Sequence, residues 1–64
     1  MPARVEAAAD GYYLFDVDDG MRSWCRKAGG RFRQRRGGWW FRFTRVRSAA
    51  ELLDNYNTAV YAGA

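Results

Sequence analysis

Apolar and basic residues largely alternate through residues 31–45, the most regular stretch of the chain. Residues 31–36 and 39–45 both have this pattern, which is typical of strands with one buried face. Between them, Gly37 and Gly38 tolerate the positive φ of a tight turn. The pattern predicts a β-hairpin with this pair at its tip.

Such a turn places Phe32 opposite Phe43 and Arg33 opposite Arg42, and it sorts the side chains onto two faces. The first predicted face is aromatic and consists of Phe32, Gln34, Trp39, Phe41 and Phe43. The second predicted face is basic and consists of Arg31, Arg33, Arg35, Trp40, Arg42 and Thr44. Like charges directly opposed across a strand pair repel each other. The second face is therefore the candidate binding surface.

Another strand is predicted at residues 12–17, which are rich in aromatic residues. Asp10-Gly11 before it is a hairpin signal, and residues 4–8 are either a short partner strand or a frayed helix. Tyr12 and Leu14 join the basic face if Tyr13, Phe15 and Val17 point inward.

Two amphipathic helices complete the pattern. The first has its apolar stripe at Met21, Trp24, Cys25 and Ala28, begins near Asp18 or Asp19 as cap, and stops at Gly29-Gly30. The second starts at Ser48, whose spacing to Glu51 is that of a capping box. Its apolar stripe is Ala49, Leu52, Leu53, Tyr56, Ala59 and Val60.

These elements predict one α+β domain over residues 1–64, with the order β-α-β-β-α. The sheet is antiparallel, with three strands or, if residues 4–8 pair, four, and residues 39–45 form its central strand. Both helices cover the aromatic face. The expected core consists of Trp24, Phe32, Phe41, Phe43, Leu52, Leu53 and Tyr56.

The charge is distributed unevenly. Residues 20–47 carry ten basic side chains and no acidic one, and the remainder of the chain has a net charge of −6, which gives +4 overall. Nine of the ten are arginine, which makes planar, bidentate contacts. An ordinary solvated surface is the alternative explanation, although dispersed arginines are usually interleaved with acids.

The composition predicts neither a catalytic site nor a metal site of the common kinds. The chain has one cysteine, Cys25, and no histidine, so a zinc site, an internal disulfide and a Cys-His nucleophile are not expected. Residues 16–20 are acidic but lack the ligand spacing of a calcium loop, and the glycine pairs do not match a phosphate loop. We expect no enzyme activity, no cofactor and no metal. Without a signal peptide or an apolar span, a cytoplasmic location is expected.

Arginines around aromatic rings on a sheet suit nucleic acid, with guanidinium groups on phosphates and bases on rings. The predicted partner is nucleic acid, with single strands favoured, or a nucleoprotein complex, and self-association remains open. The predicted binding residues are Tyr12, Arg31, Arg33, Arg35, Trp40, Arg42 and Arg45.

Residues 13–15, residues 28–32 and residues 38–41 together resemble the HARP-type βαββ module. That module accompanies annealing helicases of the SNF2 class, and similar units occur in phage and plasmid DNA-handling proteins. The resemblance implies a DNA-associated role carried by Trp39, Trp40 and the nearby arginines. The proline usual after the Trp strand is replaced by Thr44-Arg45. The chain is also similar in size to phage-encoded inhibitors such as anti-CRISPRs, which implies the alternative role of a protein that binds a host defence nucleoprotein.

Overall fold

The computed structural model describes residues 2–63, which contain four strands, two α-helices and one 3₁₀ turn. Their bounds are β1 Arg4–Ala7, β2 Gly11–Phe15, the 3₁₀ turn Asp19–Met21, α1 Arg22–Lys27, β3 Arg31–Arg33, β4 Gly38–Arg42 and α2 Ala49–Gly63. The α+β class is confirmed. The predicted order β-α-β-β-α is incomplete, because an additional strand precedes β2.

All four strands pair antiparallel in the order β1-β2-β4-β3. As predicted, β4 lies between β2 and β3. The N-terminal segment is a strand rather than a frayed helix, and it forms a hairpin with β2. Ala8 N–H donates to Gly11 O at 2.8 Å across the turn between them, which places the turn one residue before the expected Asp10-Gly11 pair.

The hairpin of β3 and β4 has a different register from the predicted one. Its observed pairs are Arg31 with Trp40, Phe32 with Trp39, and Arg33 with Gly38. The predicted opposition of Arg33 to Arg42 is therefore wrong, as is that of Phe32 to Phe43. Because the shift is an even number of residues along β4, each side chain in the strands keeps its predicted face.

The turn of this hairpin is longer than the predicted Gly-Gly tip. Residues 34–37 form the loop instead of extending the strands, and Gly37 N–H donates to Arg33 O at 2.8 Å. Gly37 has a φ of 71°, which suits glycine. Gly38 belongs to β4, where an added Cβ would lie 2.7 Å from ring atoms of Phe15. Close packing, rather than turn geometry, explains the second glycine.

Both helices pack on one face of the sheet, as predicted. The core there consists of Leu14, Cys25, Trp39, Phe41, Val46, Leu52 and Tyr56. Tyr12 and Leu14 do not join the basic face, because Tyr13 and Phe15 occupy it. Tyr12 lies on the helix-covered face, where its ring centroid is 5.1 Å from that of Phe43. Residues 12–15 are all apolar or aromatic, so their sequence does not show which phase of the alternation points to the helices.

Two of the expected core residues are exposed. Phe32 retains 49% and Phe43 46% of their accessible surface, whereas Trp24 and Leu53 are partly buried. Phe32 lies in the edge strand β3, whereas α2 packs against β1 and β2, towards the opposite edge of the sheet. Phe43 follows the last residue of β4.

The two helices begin in different ways. Ser48 Oγ accepts a hydrogen bond from Glu51 N–H at 3.1 Å, which confirms the predicted cap of α2. The predicted cap of α1 is wrong, because the chain enters that helix through the 3₁₀ turn and Asp18 makes no side-chain capping bond. Instead, the backbone N–H of Asp18 donates to the Tyr56 hydroxyl at 3.1 Å, tying the start of this turn to α2.

Candidate arginine-lined binding surface

The sheet face turned away from the helices carries a second aromatic cluster. Tyr13, Phe15 and Trp40 form it, and Ala8 packs against them. We call this surface the open sheet face. All three rings are buried. Within the part of the chain that the structure describes, no helix residue belongs to this cluster. Their cover must come from side chains of the sheet and its loops.

Arginines supply that cover. Their guanidinium carbons lie over the rings at these centroid distances: Arg33 to Trp40 4.4 Å, Arg42 to Trp40 5.6 Å, Arg36 to Tyr13 4.7 Å and Arg4 to Phe15 4.6 Å. Each cation–π contact of this kind contributes about 0.5–1 kcal/mol at exposed sites. A guanidinium group over a ring still has N–H groups at its edge that can bind a second partner. The open sheet face is therefore an array of arginines oriented by aromatic rings.

Trp40 supports this array and is not a free stacking platform. Only 6% of its surface is exposed, and its Nε1–H donates to Asp10 Oδ1 at 3.2 Å. A Cβ at Gly11 would lie 2.7 Å from the Trp40 Nε1 atom, so glycine makes room for the indole. The sequence predicts that the Trp40 ring stacks on a base, but the structure places Arg33 and Arg42 over that ring.

A groove of about 620 Å³ runs along the end of the sheet where β3 begins and β4 ends. Its lining is Arg26, Gly29, Gly30, Arg31, Phe32, Trp39, Trp40, Arg42 and Arg45. We call it the arginine groove. Four of these side chains are cationic and none is acidic. The two tryptophans are buried, so Phe32 is the aromatic ring in the groove with substantial exposed surface.

The Gly29 turn positions one of these arginines. Gly29 has a φ of 97°, and an added Cβ would lie 2.8 Å from Arg45 Nε and 3.0 Å from Arg45 Cδ. The Arg45 side chain therefore lies against the bare backbone at the end of α1. Across the groove, the Arg26 guanidinium carbon is 5.8 Å from the ring centroid of Trp39. Both cations are held at the groove by packing rather than by a carboxylate.

The groove arginines have no ion-pair partner within residues 2–63. The ion pairs of that part of the chain are Arg4 with Glu6 and Asp16, Arg36 with Glu6, and Arg22 with Asp19. These pairs are solvent-exposed and each contributes little to stability. The open sheet face is partly neutralised at β1. The groove arginines have no such ion pair among the described residues, and the Asp10 carboxylate beside the groove accepts a hydrogen bond from Trp40 Nε1–H instead.

The structure brings together part of the predicted site. Arg31, Trp40, Arg42 and Arg45 line the groove, and Arg33 adjoins it over the Trp40 ring. Arg35 lies apart from the groove, in the β3–β4 loop, where it borders a separate depression with Arg33 and Arg36. Tyr12 lies on the opposite face of the sheet.

Sequence reasoning did not identify two contributors to the groove, Arg26 and Phe32. The sequence pattern predicts Phe32 in the core, and it does not place Arg26 on the predicted basic face. The signal that could have identified Arg26 is its place three residues before the Gly29-Gly30 turn, which brings it next to the start of β3.

Cys25 is not placed as a reactive thiol. Cys25 is buried in the core, and burial raises the pKa of its thiol to about 11, which keeps it protonated at neutral pH. Residues 2–63 contain no group of three or more side chains placed to hold a metal ion. In the same part of the chain, no helix has the length and apolarity needed to cross a bilayer.

Comparisons of the chain with protein-family models, with curated proteins and with solved structures return no match.

Proposed function

We propose that this chain is a non-catalytic binding module that binds nucleic acid through the sugar-phosphate backbone. The observation that carries the proposal is the arginine groove, in which Arg26, Arg31, Arg42 and Arg45 surround one concave surface without an acidic neighbour in its lining. Four like charges in one groove repel one another, and an anionic partner removes that repulsion. Phosphate is the anion that arginine binds in bidentate geometry.

The extent of the basic surface favours a polymer over a small anion. From the groove, the arginines continue through Arg33 over the Trp40 ring to Arg36 over the Tyr13 ring. A single phosphorylated metabolite would occupy the groove and leave the open sheet face unused. A phosphodiester chain presents charges at regular intervals and engages both.

The buried position of Trp40 changes the mode of binding that the sequence suggested. Arg33 and Arg42 cover its ring, so phosphate contacts rather than stacking on this residue provide affinity. Backbone contacts fix position and carry little sequence information. A DNA-associated role also agrees with the proposed relationship to HARP-type modules.

A binding assay with labelled single-stranded and duplex oligonucleotides at low salt tests the proposal. We expect both to bind the wild-type protein, because phosphate contacts are common to both. Arg42→Ala removes a groove arginine and should weaken binding about tenfold or more, since a hydrogen bond to a charged group contributes roughly 1.5–3 kcal/mol. Arg22→Ala is the matched control: Arg22 is also exposed, pairs with Asp19 and lies outside the groove.

Failure of both oligonucleotides to bind at low salt would exclude the proposal. A pull-down with and without nuclease then addresses the alternative. A protein that stays bound after nuclease treatment would indicate an inhibitor of the anti-CRISPR kind, which acts on a nucleoprotein through protein contacts.

A further inference from the structure

We infer that the arginine groove is a nucleotide subsite, in which one unpaired base stacks on Phe32 while Arg31 and Arg42 hold the adjacent phosphates. The inference rests on the proposed function and adds to it a preference for single strands. The stacking residue is then Phe32, which the sequence pattern predicts in the core, and not Trp40.

Phe32 has the properties of a stacking residue. Its side chain is half exposed in a short edge strand, flanked in sequence by Arg31 and Arg33. The ring is oriented by Trp39 behind it, with centroids 5.6 Å apart and an interplanar angle of 63°. This contact restrains the ring on the Trp39 side, and the exposed half of the side chain is available to a second partner.

The groove has the size and chemistry for a nucleotide. Its volume of about 620 Å³ lies within the range of roughly 300–1,000 Å³ that is usual for small-molecule sites. The groove combines an accessible aromatic ring with cationic side chains, the combination by which proteins bind unpaired nucleotides. Its two tryptophans are buried, which leaves Phe32 as the ring on which a base can stack.

Charge complementarity favours this occupant over an apolar protein segment. An apolar side chain of a protein partner would cover Phe32 but leave the groove arginines desolvated without counter-charge, which is unfavourable. A nucleotide covers the ring and neutralises the arginines together. Bases in a duplex are stacked inside the helix and cannot reach the ring, so the subsite acts on single strands.

The chain offers a matched pair of phenylalanines for the test. Phe32 and Phe43 are exposed to similar extents, 49% and 46%, but Phe43 contacts Tyr12 and lies outside the groove lining. The variants are Phe32→Ala, Phe43→Ala and the conservative Phe32→Tyr. The probes are a labelled oligothymidylate, an abasic oligonucleotide of the same length and a duplex of that length. Circular dichroism checks that each variant is folded.

Phe32→Ala should weaken oligothymidylate binding by about 5- to 100-fold, the usual effect of removing one stacking ring. Its affinity for the abasic strand and for the duplex should stay at the wild-type value, and Phe32→Tyr should restore binding of oligothymidylate. Phe43→Ala should change none of these affinities.

Equal loss of oligothymidylate and abasic binding in Phe32→Ala would overturn the inference, because the ring would then act only by supporting the arginines. An unchanged affinity for oligothymidylate would overturn it as well, while leaving phosphate-backbone binding intact. If the wild-type protein binds none of the three probes, the proposed function itself is excluded.

Discussion

Gly29 adopts a backbone conformation that favours glycine, and its missing side chain makes room for Arg45. We expect Gly29→Ala to displace this arginine from the groove and to weaken oligonucleotide binding about tenfold or more, if one charge-assisted contact is lost. The positive φ should also lower the free energy of unfolding by about 1 kcal/mol or more. Fluorescence anisotropy and urea unfolding measure the two effects.

Gly37 provides the control for this prediction. It has a positive φ as well, but nothing lies within 4 Å of the position that a Cβ would occupy. Gly37→Ala should therefore lower stability without changing affinity. If both variants bind oligonucleotide as tightly as the wild type, Arg45 does not contribute to the site.

The residues that cover the open sheet face show what the sequence could and could not reveal. The basic, acid-free stretch does supply all four groove arginines and three of the four arginines that lie over the rings of the open sheet face. Its Trp39 and Trp40, by contrast, are buried. The cover of the rings depends on Arg4 from β1 and Arg36 from the β3–β4 loop, which only the tertiary structure brings together. Sequence reasoning therefore left Trp40 uncovered and expected the arginines to repel one another.

The elements were predictable where one periodicity dominates. The 3.6-residue stripe and the Ser48 cap identified α2, and alternation placed the residues of β3 and β4 on the correct faces. The turn between them was not predictable, because two adjacent glycines fit a tight turn as well as a loop followed by a closely packed strand residue. Only the tertiary structure, in which the Phe15 ring packs against Gly38, decides between the tight turn and the longer loop.

The C-terminal helix offers a stability prediction for an element as a whole. Ser48→Ala should lower the free energy of unfolding by about 1 kcal/mol through loss of the hydrogen bond to Glu51. Leu52→Ala should lower it by about 2–5 kcal/mol, because Leu52 is fully buried and the substitution leaves a cavity. Leu53 is only partly buried, so Leu53→Ala should have a smaller effect.

Urea unfolding followed by circular dichroism measures these differences. Thr58→Ala is the control, since Thr58 is an exposed position of the same helix where alanine is well tolerated. Negligible effects of both Ser48→Ala and Leu52→Ala would contradict the packing of α2 against β1 and β2.

Across the whole molecule, the layout of the fold accounts for the uneven charge. The acidic residues Glu51 and Asp54 belong to α2, which packs on β1 and β2. The arginine groove lies at the opposite edge of the sheet, beside β3. The ion pairs of Arg4 and Arg36 with Glu6 lie at β1 and the β3–β4 loop. The fold thus separates the anionic helix from the cationic groove, and long-range attraction of a polyanion is directed to one side of the molecule.

This separation predicts how affinity depends on salt. The logarithm of the affinity should fall with the logarithm of the salt concentration, with a slope of roughly −0.7 per phosphate contact of a single strand. If the four groove arginines each make one such contact, they contribute about −2.8 to the slope, and contacts of Arg33 and Arg36 on the open sheet face make it steeper. Arg42→Ala should make the slope shallower by about 0.7, and Phe32→Ala should lower the affinity without changing the slope, because stacking releases few ions. Sedimentation over the same salt series is the control, since self-association between the basic groove and the acidic helix would also weaken with salt. A wild-type slope near zero, with the protein monomeric throughout, would show that the groove does not bind phosphates.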